Sequence, residues 1–199
     1  DESIRKVDRE VLRKVCEKMK YWKDNGYPLF PVSVNLSPCE IGRTNLVEEL
    51  VEIVKSYDVD PELIDFELTE SADYNDKEYL LKVLEEIRKA GFMLSMDDFG
   101  TGYSSLSLLK DMPLNTLKID KSFVDCILAE NVIEKEYLII RGIIDLARNL
   151  EIKCLAEGAE SKEQVDQLRQ WGCQYIQGYY YSKPVPVEDY ERLIKLQAS

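Results

Sequence analysis

The chain has 199 residues, a formal net charge of −12 and no histidine. That length suits one well-buried domain, and the acidic excess excludes a broad surface for DNA or RNA duplexes, though not a small phosphorylated ligand held through divalent cations. Without imidazole, a catalytic site has no histidine base, nucleophile or zinc ligand, so any metal centre is built mainly from oxygen donors suited to magnesium, manganese or calcium.

The elements follow in two alternating periods. A helix pattern runs first, from roughly Ile4 to Trp22. The run "PVSVNLS" (31–37) reads as a strand, and the stripe Leu46, Val47, Leu50, Val51 and Val54 as an amphipathic helix. "IDFELTES" (64–71) is the next strand; Leu80, Leu81, Leu84 and Ile87 form a second helical stripe, closed by Gly91 just past its end. "FMLSMDDFG" (92–100) and "LNTLKID" (114–120) are strands, and Ile139, Ile140, Ile143, Ile144 and Ala147 make a third stripe. After the strand "KCLAEGA" (153–159), Ser161 and Gln164 read as a capping box opening a helix that Gly172 ends. "YIQGYYY" (175–181) is the sixth strand, with Tyr179, Tyr180 and Tyr181 read as rim packing.

The five cysteines, Cys16, Cys39, Cys126, Cys154 and Cys173, are odd in number and form no C-x-x-C pair. That usage suits a reducing, cytoplasmic setting. No apolar run approaches about 20 residues, no signal peptide opens the chain, and "YLIIRGIIDLA" is broken by Arg141 and Asp145, so this segment is expected to make no membrane contact.

Strict strand–helix alternation predicts a parallel sheet covered by helices, in α/β fold class. Six strands and this length fit an open doubly wound sheet better than a complete barrel, which takes about 250 residues and eight strands. The polar residues point the other way. Asn35, Glu67, the pair Asp97–Asp98, Lys118, Glu157 and Gln177 each fall at or near the end of a different strand. An open sheet gathers ligand at one switch point, whereas a barrel collects groups from all its strand ends at one mouth. Taken singly, each has a plainer reading: Asn35 as a turn former, Glu67 as an outward edge residue, Asp97–Asp98 as a solvated bend, Lys118 with Asp120 as a surface pair.

Jointly they support specific chemistry. Four carboxylates and an amide oxygen can hold two divalent cations about 3.5–4 Å apart, lowering the pKa of a shared water and neutralising charge on a phosphoryl group. Lys118 adds a fixed positive charge to orient water or phosphate.

"SVNLS", "FELTES", "MDDFGTGYSSL", "LKIDKSFV", "LAEGAES" and "IQGYYYSKP" resemble, in order and spacing, the EAL-domain cyclic-di-GMP phosphodiesterases, over about Ile4 to Leu196. The resemblance implies a TIM-type (β/α)8 barrel and hydrolysis of cyclic di-GMP to the linear dinucleotide with two Mg²⁺ or Mn²⁺ ions. It implies Asn35, Glu67, Asp97 and Asp98 as metal ligands, with Asp97 the bridge, and Lys118 as the group that positions or helps deprotonate water. Glu157 would act as ligand or base, and Gln177 would position the metal–water cluster or substrate. Glu70 would hold the loop carrying Gly100, Thr101 and Gly102, whose glycines serve movement and close approach.

The family's Glu-Ala-Leu strand is absent from these residues, so the expectation is one domain, 1–199, lacking its N-terminal one or two strands: a fragment, or a chain completed by a partner. Ala159 and Ser161 replace the more usual Val and Thr. Family members are often dimeric and often fused to sensory or diguanylate cyclase domains. The alternative function is a catalytically inactive EAL-like domain that binds cyclic di-GMP or a protein partner.

Overall fold

The computed structural model describes residues 2–69, 76–101, 106–128 and 134–197. Its six strands are β1 (Val32–Asn35), β2 (Ile64–Thr69), β3 (Met93–Phe99), β4 (Thr116–Ile119), β5 (Lys153–Ala156) and β6 (Tyr175–Ile176). The helices are α1 (Glu2–Asp24), α2 (Pro38–Ile41), α3 (Leu46–Ser56), α4 (Lys77–Lys89), α5 (Leu106–Leu109), α6 (Lys121–Asp125), α7 (Glu134–Asn149), α8 (Lys162–Gln170) and α9 (Val187–Gln197). Among the described residues, no helix is long and apolar enough to cross a membrane.

All five strand pairings are parallel, and the order across the sheet is β1-β2-β3-β4-β5-β6. A doubly wound sheet reverses its order at a switch point; this one never does. The sheet is therefore a six-stranded parallel half-barrel, against the preference that length alone suggests. Among the described residues β6 does not pair with β1, so both are edges.

Alternation along each strand sends every second side chain outward to the helices. On β2, Ile64, Phe66 and Leu68 are buried there, joined by Leu94 and Met96 from β3, Leu117 and Ile119 from β4, and Cys154 and Ala156 from β5. Leu12, Cys16 and Met19 of α1, Leu84 and Ile87 of α4, and Ile144 and Ala147 of α7 cover this face. Each large apolar side chain so buried stabilises by about 1.5–3 kcal/mol before entropy is counted. The opposite face differs: Asp65, Ser95, Thr116 and Lys118 are all buried polar residues.

Local signals behave as the sequence predicts in several places. Ser161 and Gln164 form a reciprocal capping box at the start of α8, while Gly91 and Gly172 take positive φ just beyond α4 and α8. Two expectations fail. Ile139 is 49 % exposed, because it stands one residue, about 100°, off the stripe of Ile140, Ile143, Ile144 and Ala147. Only Tyr175–Ile176 of the sixth run is strand; Tyr179, Tyr180 and Tyr181 are exposed rather than packed, with Arg169 donating to the Tyr181 hydroxyl at 3.1 Å.

Candidate metal centre

Carboxylates from three strands meet one ammonium. Lys118 Nζ, from β4, lies 2.7 Å from Glu67 Oε1, 2.9 Å from Asp97 Oδ1 and 2.6 Å from Glu157 Oε1. Glu67 projects inward from β2 and Asp97 from β3. Glu157 stands one residue beyond β5, where its N–H donates to the Ile119 carbonyl at 3.0 Å and so carries the ladder one step further.

Adjacent acids on a strand should face opposite ways, but the β3–β4 ladder slips at this point. Met96 pairs with Leu117 and Phe99 with Ile119, so three steps on β3 match two on β4. This is a β-bulge, and Asp98 within it adopts φ 54°. The other described non-glycine residues with positive φ, Asp58 and Glu151, follow helix ends; Asp98 holds this conformation inside a strand. The bulge cancels the alternation. One oxygen each from Asp97, Asp98 and Glu157 lie within 4.8 Å of one another.

The loop after the bulge is fastened in two ways. The N–H and hydroxyl of Thr101 donate to the Asp98 carbonyl at 3.2 and 2.9 Å. Gly100, at φ +100°, packs so closely on Phe123 of α6 that an added Cβ would sit 2.4 Å from the ring. Glu70 and Gly102, also expected to serve this loop, lie outside the described residues.

Asn35 and Gln177 mark the two ends of the half-barrel. Asn35 closes β1 with Glu67 as its Cα partner, and Gln177 follows β6, its N–H donating to Ala156 O at 2.9 Å. Both side chains are exposed, and among the described residues neither has a hydrogen-bond partner. Gln177 lines an open groove of about 810 Å³ with Trp22, Phe30, Ser33, Tyr179 and Lys183. Lys118 is not the surface partner of Asp120. Asp120 instead caps α6 by accepting from the Ser122 N–H at 3.0 Å.

Burial works against the Lys118 ammonium, but its close contacts with Glu157, Glu67 and Asp97 outweigh that and hold its pKa above the ordinary lysine value. Burial pushes the Glu157 carboxyl up, with Lys118 opposing. Asp98 is raised by burial and then by the charges of Asp97 and Asp120. Four acids against one ammonium leave an excess of negative charge at the rim. Asp97 Oδ1 is also shielded from water with no hydrogen-bond donor aligned on it among the described residues, the ammonium meeting it as an ion pair only. Clustered hard oxygens with spare lone pairs fit divalent magnesium or manganese.

The sequence profile of the EAL domain matches residues 1–184. The chain belongs to the EAL domain family. Cyclic di-GMP phosphodiesterase NbdA of Pseudomonas aeruginosa is 34 % identical over 192 residues, 96 % of this chain and 24 % of that protein. The EAL chain therefore spans about a quarter of the length of such curated relatives. Among solved structures, the MucR phosphodiesterase of Pseudomonas aeruginosa in complex with cyclic di-GMP has a TM-score of 0.85 at 34 % identity, covering 94 % of this chain and 74 % of that one. Klebsiella pneumoniae BlrP1, in a complex with manganese and cyclic di-GMP, has a TM-score of 0.74 at 26 % identity, covering 88 % of this chain and 44 % of that one.

The EAL-type rim stands on a lower polar layer that residue patterns did not reveal. Ser33 and Ser95 both donate to Asp65 Oδ2, at 3.4 and 2.6 Å. The one available signal was an acid two residues before Glu67, on the same face of β2.

Proposed function

We propose that this EAL domain hydrolyses one phosphodiester bond of cyclic di-GMP, giving the linear dinucleotide, with two divalent cations, Mg²⁺ or Mn²⁺, at the half-barrel rim. The observation that carries this reading is the Lys118 ammonium bound to Glu67, Asp97 and Glu157 beside Asp98 on its bulge. Asn35, Glu67, Asp97 and Asp98 would hold the metal pair, with Glu157 as a further ligand or as the base. When bound, the pair supplies charge neutralisation at the phosphoryl oxygens and lowers the pKa of water.

The chain's own residues do the rest. Lys118, kept protonated by its three partners, orients the attacking water or a phosphoryl oxygen through an N–H that those carboxylates release. As base, Glu157, whose pKa burial raises, would accept the proton that the water loses as its oxygen attacks phosphorus; the P–O ester bond breaks and the departing ribose oxygen takes up a proton from solvent. Gln177 positions the cluster or the substrate from the β6 edge. Gly100 and Thr101 set the loop beneath Asp98.

The half-barrel's two open edges support one further element: a strand carrying another carboxylate, from this polypeptide or a partner, that pairs between β1 and β6. Among the described residues no cysteine forms a disulfide, which accords with a cytoplasmic site of action. Regulation would come from a second copy or from sensory or cyclase modules, as the partial coverage of longer relatives suggests.

Cyclic di-GMP incubated with the domain and Mn²⁺ should yield linear dinucleotide by chromatography, with product abolished by EDTA, by Asp97→Asn and by Glu67→Gln. A second reading has its own support. The Lys118 ammonium itself sits among the three carboxylates, which would suit a receptor that binds cyclic di-GMP and does not cleave it. Saturable nucleotide binding with no product under excess metal would select that reading.

A further inference from the structure

Asp65 is an anomaly in the fold. It sits on the inward face of β2 at 9 % exposure, where a carboxylate is rare unless paired with a cation. Its described partners are hydroxyls only: Ser95 Oγ donates to Oδ2 at 2.6 Å and Ser33 Oγ to the same oxygen at 3.4 Å, while Oδ1 is buried with no partner among the described residues. Ser95 itself is fully buried.

The placement of the three is regular. Ser33, Asp65 and Ser95 each stand two residues before a rim group on the same strand, respectively Asn35, Glu67 and Asp97, and so share its face. One carboxylate oxygen therefore ties β1, β2 and β3 together one layer below the donors those strands carry. Ladder hydrogen bonds alone fix strand spacing but leave the side-chain layer free to spread.

We propose that Asp65 is a positioning residue: by clamping Ser95 and Ser33 it sets the lateral spacing of Asn35, Glu67 and Asp97 for cation binding. The inference rests on the reading of the rim as a divalent-metal centre. Asp65 touches neither ion nor substrate; it acts through the strands. Groups behind metal donors typically change affinity 10–100-fold when removed.

The test reads manganese binding itself, by electron paramagnetic resonance titration of the purified domain, alongside thermal unfolding. Ser95→Ala and the near-isosteric Asp65→Asn should each weaken manganese binding by about tenfold or more. The double variant should be no weaker than the worse single one, because both act through one hydrogen bond. Ser33→Ala, at the longer contact, should have a smaller effect. Leu94→Val, buried on the outward face of β3, serves as the structural control: it should lower the melting temperature and leave manganese affinity unchanged. Wild-type affinity in both Ser95→Ala and Asp65→Asn would overturn the clamp while leaving the metal centre intact. A wild-type domain that takes up no manganese would overturn both.

Discussion

Lys118 Nζ and Glu157 Oε1 stand 2.6 Å apart across the seam where β4 meets β5. The Cα partner of Lys118 in that ladder is Leu155, so the lysine leans two residues along the strand toward the rim to reach Glu157. Glu67, level with Thr116 through Ser95, lies two residues the other way, and Asp97 falls in the bulge opposite Lys118. One long, flexible side chain thereby gathers acids that stand at three different levels of the sheet.

Removing that ammonium leaves three half-buried acids facing one another. Lys118→Met is expected to destabilise the metal-free domain by about 3–5 kcal/mol, the usual size when one partner of a buried ionic cluster is lost. Manganese should then raise its melting temperature more than it raises that of the wild type. Scanning calorimetry with EDTA and with manganese measures both, and equal melting temperatures in EDTA would show that the ammonium does not balance the cluster.

Asp98 holds a left-handed conformation that costs of order 1–3 kcal/mol for a residue with a side chain. Asp98→Gly relieves that strain and removes a charge beside Asp97 and Asp120, at some entropic cost. Its melting temperature should equal or exceed that of the wild type, while hydrolysis of cyclic di-GMP falls about a hundredfold or more. A variant that kept full activity would show that Asp98 serves the backbone alone.

The contact between Gly100 and Phe123 leaves no room for a methyl group. Gly100→Ala should destabilise by about 1–3 kcal/mol through overpacking and the unfavourable φ. Phe123→Ala in the same chain should recover part of that loss, since it frees the space but not the backbone angle. A double-mutant cycle in urea reports the coupling.

The docking of α9 on α1 is expected to be acid-sensitive. Glu191 accepts from Lys18 Nζ at 2.6 Å and from Trp22 Nε1 at 2.9 Å, and these bonds, with Lys18 first, hold its pKa below the ordinary value of 4.5. A depressed carboxyl contributes stability that is present above the unfolded pKa and lost as pH falls through the folded one. Hydrogen exchange of α9 should therefore accelerate as pH drops below 4.5 in the wild type, after correction for intrinsic rates, and change little in Glu191→Gln.

Much of this was legible in residue order. Short apolar runs located all six strands, although each strand is shorter than its run, because the flanking polar residues turn as soon as the ladder ends. Asp97 and Asp98 were visible as a pair at a strand end; the bulge that turns both to one side was not, since it depends on register with Leu117 and Ile119, some twenty residues away. Asp65 escaped notice for a different reason. An acid alternating with Ile64 and Phe66 reads as solvent-facing, and only curvature of the sheet turns that face into an interior.

The unreversed strand order bears on how the molecule is made. Every strand pairs with the one synthesised just before it, so each βα unit can dock on a finished edge as the chain leaves the ribosome. Among the described residues, no strand waits for a distant downstream strand, although α1 meets α9 only after β6. Yet the ring of donors spans the whole order, from Asn35 to Gln177, so the scaffold can accumulate step by step while competence arrives only with the final unit.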